Sequence, residues 1–95
     1  MTDLEMTRLC AEAMGMESSH VSDEHLLARD DPMLKFYRYD PLHDDAQAMA
    51  LVKKFPMETT KQLYAAGLTL GRGNTANKVI VECVAKMQAA KKVAA

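Results

Sequence analysis

In the last third of the chain, Ala76, Val79, Ile80, Cys83, Val84 and Met87 recur at spacings of three and four residues. That period follows the turn of an α-helix, so the six side chains share one face, and the face must be covered by other parts of the fold. Asn74 or Thr75 supplies its N-cap. A helix of about four turns is held chiefly by tertiary packing, so this one is expected to be the main support of the core, with Ile80 and Cys83 buried. From about residue 90 the stripe fades into lysine and alanine, and a flexible tail is expected there.

Two shorter segments repeat the pattern. Thr2 followed by Glu5 is a capping-box pair, Met6, Leu9, Cys10, Ala13 and Met14 follow at helical spacing, and Gly15 is a stop signal; a helix is expected over 2–14. Ala48, Leu51, Val52 and Phe55 do likewise over 44–54, with Asp44 and Asp45 at the positive end of the dipole, Lys53 and Lys54 at the negative end, and Pro56 as the stop. Elsewhere the period drops to two. In "LYAAGLTL" Tyr64, Ala66, Leu68 and Leu70 alternate with Leu63, Ala65, Gly67 and Thr69, and Gly67 marks a bulge or bend. In "MLKFYRY" Leu34 and Phe36 alternate with Lys35, Tyr37 and Tyr39 between Pro32 and Pro41. A strand is expected in each. The polar stretch over about 16–33, with a Ser22-capped helical turn, reads as an irregular excursion over the surface.

A chain of 95 residues supports one small core and one domain over 1–95. Its 48% hydrophobic and 26% charged residues exclude wholesale disorder. No apolar run reaches the roughly 18 to 20 residues that span a bilayer, and the start is acidic where a signal peptide is basic, so a cytoplasmic location without membrane association is expected. Cys10 and Cys83 lie in separate helical patterns and read as buried thiols rather than a disulfide or zinc pair. The net charge of −1 conceals a division: residues 1–31 carry −6 and the remainder +5. The halves therefore attract each other within the fold or between copies, the second case giving a homo-oligomer. With a pI near 6.3, most of these charges are expected on solvated faces, and nucleic acid is not expected as a partner.

The blocks "MTDLEMTRLCAEAMG", "YDPLHDDAQAMALVKKF" and "NKVIVECVAKMQAAK", in this order and covering about half the chain, resemble the small phage and prophage proteins that share the phage ABA-sandwich domain. The resemblance implies an α/β sandwich in which a small antiparallel sheet is flanked by helices, and it brings no catalytic residues. Members usually carry a longer strand-rich insert between the second and third helices, often with tryptophan. Here the interval 56–73 is short and the chain has no tryptophan. The expected class is α+β: a small single-domain α/β sandwich with three main helices on a small antiparallel sheet.

Two candidate sites emerge. In "GRGNTANK" the glycines Gly71 and Gly73, Arg72, Asn74 and Thr75 precede and open a helix, whose unpaired N–H groups suit an anion. The spacing is not that of a P-loop, and a turn followed by an N-cap explains the same residues. The second candidate is a contact patch of Met33, Phe36, Tyr37 and Tyr39, residue types enriched in interface cores. Against it stands a plainer arrangement in which Phe36 packs inward and the tyrosines cover a sheet edge. His20, His25 and His43 lack metal-site spacing, and no serine or cysteine sits in a nucleophile motif. Neither metal nor cofactor is expected, nor an enzyme.

The function expected is that of a small phage or prophage accessory protein, a non-enzymatic binding module acting on a bacterial host macromolecule such as a host protein of a defence system. The alternative is a phosphate- or nucleotide-sequestering protein that uses the 71–75 loop. A capsid or tail element is disfavoured because no heptad seam is visible.

Overall fold

A computed structural model describes residues 2–20, 26–67 and 73–94. The first capping box forms as its sequence dictates. Thr2 is extended, its hydroxyl accepts the Glu5 N–H at 3.1 Å, and helix α1 runs Asp3–Ala13. Gly15, at φ +73°, ends it in a Schellman motif: the Gly15 N–H donates to the Glu12 carbonyl and the Met16 N–H to the Ala11 carbonyl.

The stretch expected to wander over the surface is instead a sheet. Strand β1 (Glu17–His20) pairs antiparallel with β2 (Leu26–Arg29), and β3 (Tyr37–Arg38) adds to the far side of β2. Glu17 opposes Arg29 and Ser19 opposes Leu27, while Leu27 and Ala28 face Arg38 and Tyr37 on the third strand. The polar residues of β1 hid the strand because they lie on an edge, where few side chains need burial. In β2 the alternation is visible: Leu26 and Ala28 are buried, Leu27 and Arg29 half-buried. The Ser22-capped turn falls outside the described residues. The strand expected in "MLKFYRY" shrinks to two residues because 31–34 form a turn, closed by the Leu34 N–H on the Asp31 carbonyl at 2.9 Å.

Helix α2 (Asp45–Lys54) begins at Asp44, whose carboxylate accepts the Gln47 N–H at 3.0 Å. Pro56 then does more than stop it. It occupies the first turn of a further helix, α3 (Pro56–Ala65), where its fixed φ fits and its missing N–H costs nothing. This helix replaces the first half of the strand expected in "LYAAGLTL". Thr59 and Leu63, four residues apart, supply its buried contacts, and Gly67, at φ +70°, belongs to the turn that follows. Residues 68–70 of that expected strand lie outside the described residues.

Helix α4 (Gly73–Ala94) continues beyond residue 90, across the expected tail, and Lys92 there pairs with Glu12 of α1 at 3.2 Å. Its buried face is rotated from the one its apolar period marks: Ala76, Asn77, Ile80, Val81, Val84 and Ala85 are buried, whereas Val79, Cys83 and Met87 are half-buried. Cys83 is therefore not the core thiol expected. Cys10 is, and it donates to the Val81 carbonyl at 3.4 Å, which brings α1 close to the backbone of α4.

The layers follow from these contacts. The sheet packs on α1, α1 on α4, and α4 on α2 and α3, so four helices and a three-stranded antiparallel sheet form one α+β domain. A single core cluster runs from Leu26 and Ala28 through Cys10 and Ala11 to Ile80, Leu51 and Leu63. Asn77 is buried beside it, as Thr7 and Thr59 are. The Asn77 amide donates to Asp45 Oδ1 at 2.8 Å and toward the Leu42 carbonyl at 3.4 Å, tying α4 to the start of α2.

Candidate interaction surface

The turn between β2 and β3 carries two large apolar side chains into solvent: Met33 is 90% exposed and Leu34 55%. The turn has a built shape. The Asp31 carboxylate accepts the Met33 N–H at 2.9 Å, and Arg29 donates from its guanidinium to the Leu34 carbonyl at 3.2 Å. The same guanidinium lies 4.3 Å from the centre of the Phe36 ring and is held by Glu17 at 2.8 Å across the β1–β2 pair. Phe36 is thus half-buried beneath Arg29, while Tyr37, at 40% exposure, stands at the rim on the opposite side of the sheet.

Tyr39 does not belong to this surface, contrary to its place in the sequence-derived patch. It is 4% exposed. The reason is register: Tyr37 opposes Ala28, and the Tyr39 N–H donates to the Leu26 carbonyl at 2.9 Å, so both tyrosines lie on the side of the sheet that Leu26 and Ala28 turn toward α1. Tyr37, at the outer end, keeps its exposure while Tyr39 is enclosed. Burial raises the Tyr39 hydroxyl well above its ordinary pKa, with nearby Cys10, Tyr37 and Asp30 adding to the rise. Leu34 takes its place in the patch, a residue that the alternation rule had paired with Phe36 on a strand face. Its signal was the position between Pro32 and Phe36, inside a turn.

The residues of the anion candidate fall mostly beyond view. Gly71, Arg72 and the Asn74 side chain lie outside the described residues; α4 begins at Gly73, and Thr75 is exposed in its first turn.

A cleft of about 590 Å³ opens between the start of α1 and residues 38–43, bordered by Thr2, Asp3, Arg38, Asp40 and His43 and by apolar side chains such as Leu4 and Leu42. Asp40 organises it. Its carboxylate meets His43 Nδ1 at 2.9 Å and Arg38 at 3.6 Å, and Gln47 bridges its N–H and the Arg38 carbonyl. Arg38 is thereby matched to a carboxylate and Asp3 adds a second acid to the lining, which leaves little field for an anionic ligand. Among the described residues no group of three or more His, Cys, Asp and Glu side chains is placed to hold a metal ion. Neither thiol is poised as a nucleophile: burial, reinforced by Cys83, pushes Cys10 up to about 12, and burial together with Glu58 raises Cys83 against the opposing pull of Lys86. No protein-family model, curated protein or solved structure matches the chain.

Proposed function

We propose that the chain is a non-enzymatic binding module that engages a host protein in the bacterial cytoplasm through Met33, Leu34 and Tyr37. The observation that supports this reading is the exposed apolar pair at the tip of a turn that Arg29 and Asp31 hold in shape. A turn whose backbone is already pinned loses little entropy when a partner covers it, so more of the side-chain burial goes into affinity. Methionine adapts to the partner's surface, and the tyrosine adds a polar tip at the rim. Among the described residues no helix is long and apolar enough to cross a membrane. The phage or prophage setting, and a defence protein as the host target, rest on the resemblance of the three helical blocks alone.

The test is affinity capture from bacterial lysate, read by mass spectrometry, with wild type beside a Met33→Asp/Leu34→Asp variant. Both positions are exposed, so circular dichroism should show the same fold. A host protein enriched by wild type and lost at least about tenfold in the variant supports the reading. Equal capture by both proteins removes the turn from the binding surface.

A further inference from the structure

Strand β3 lies at an edge of the sheet, so one side of its backbone faces away from β2. Along a strand, neighbouring residues turn their N–H and C=O groups to opposite sides. The Tyr39 N–H points inward to the Leu26 carbonyl, so Arg38 and Asp40 on either side of it point outward. Unmatched groups on such an edge invite a further strand. Here a side chain meets them. Gln47, in the first turn of α2, accepts the Asp40 N–H on Oε1 at 2.6 Å and donates from Nε2 to the Arg38 carbonyl at 3.0 Å. A glutamine side chain ends in the same chemical group as a peptide bond, and this one makes the two bonds that an adjoining strand makes.

The edge therefore already holds a peptide-like group, carried on a side chain that is only half-buried and regains rotamer freedom when it lets go. A cleft of about 530 Å³ opens beside it, bordered by Arg38, Asp40, His43, Asp44 and Gln47. The edge also joins the two sides of the surface around the Met33 turn. Phe36 lies under Arg29 on one face of the sheet and Tyr37 stands on the other, and alternate side chains of an extended segment laid along β3 reach both faces.

We infer that the outer edge of β3 takes an extended segment of the partner protein as an added strand, and that Gln47 holds the place closed until that segment displaces it. The inference rests on the proposed binding role and gives the partner's chemistry: a few residues of extended, unpaired backbone rather than a helix or a nucleic acid. Main-chain bonds to Arg38 and Asp40 fix the segment, and Met33 and Leu34, in the turn that leads into β3, supply apolar contact at its end.

The test begins with the free protein. Gln47→Ala should speed hydrogen exchange at the Asp40 amide at least about tenfold with unchanged circular dichroism, since that N–H loses its acceptor. In affinity capture from bacterial lysate, quantified by isotope labelling, the same variant should hold the host protein that wild type enriches at least about threefold more tightly, because no internal competitor has to leave. A glutamine with a merely structural role gives no such gain. Arg38→Pro removes an outward N–H without touching the bonds to β2 and should lose that protein at least about tenfold, while Arg38→Ala keeps it; if Arg38→Pro fails to fold, the Gln47→Ala comparison decides alone. Unchanged exchange at Asp40 overturns the inference, as does capture by Gln47→Ala no tighter than wild type, or Arg38→Pro capturing as well as Arg38→Ala. Where the host protein is nonetheless lost in Met33→Asp/Leu34→Asp, the binding role stands and only the added strand falls. No host protein enriched by wild type or Gln47→Ala removes both.

Discussion

Cys10 and Tyr39 place two ionisable groups in the interior in neutral form. Burial raises both, Cys10 from 9.0 to about 12 and Tyr39 upward from 10.0. In each case the folded-state value lies above the unfolded one, so the stability tied to the neutral group is complete below the unfolded pKa and is lost as pH climbs toward the folded value. For Cys10 that window opens near 9 and closes near 12. The urea midpoint of the wild type is therefore expected to fall steadily above pH 9, and the fall should be shallower in Cys10→Ala, whose own midpoint at pH 7 is lower because a packed side chain is gone. Parallel slopes in the two proteins would show that Cys10 is not what the alkaline limb titrates. Tyr39 also marks where single-residue reading ran short. Its type and its neighbours suggested a surface aromatic, but which side of the pleat it occupies is decided by pairing with Leu26, a contact the local pattern does not contain.

The helices differ in how much of them is written locally. Helices α1 and α2 carry their own start signals, and Thr2 and Asp44 cap them within hydrogen-bond distance. Asp44→Ala is expected to cost about 0.5 to 2 kcal/mol in chemical denaturation, with Asp44→Asn close to wild type because the amide oxygen can still accept the Gln47 N–H. Equal losses in both variants would trace the effect to charge rather than to the cap. Helix α4 was legible from its period, yet its stripe pointed about one residue away from the true core face, since Asn77, Val81 and Ala85 are buried and Met87 only partly so. A polar residue and a small one contribute little to an apolar period, and both became buried because α1 and the start of α2 approach closely there. Helix α3 is hidden in the sequence for a related reason. Leu63 fits a two-residue alternation as well as a helical face, and Pro56, which reads as the end of one helix, is also the beginning of the next. For the candidate surface, Met33, Phe36 and Tyr37 were legible as residue types between two prolines. Their support by Arg29 and Glu17 was not, because it depends on a β1–β2 pairing that a polar edge strand does not advertise.

On the scale of the whole molecule, the acidic first third and basic remainder meet sparingly. Among the described residues, Lys92 with Glu12 is the ion pair that joins the two, and the others stay within one part or the other. All of these pairs are partly open to solvent, where each is worth about 0 to 1 kcal/mol and is screened by salt. Raising sodium chloride from about 0.05 to about 0.5 M should therefore change unfolding free energy by less than about 1 kcal/mol. A larger loss of stability would mean that the opposed halves hold the fold together, a role that its apolar core fills here. That core also closes late. Cys10 touches Val81 across 71 residues of chain, and α4 contacts every other helix. As the polypeptide emerges from a ribosome, α1 therefore arrives with its apolar side uncovered and waits for almost the entire remaining sequence before its partner exists.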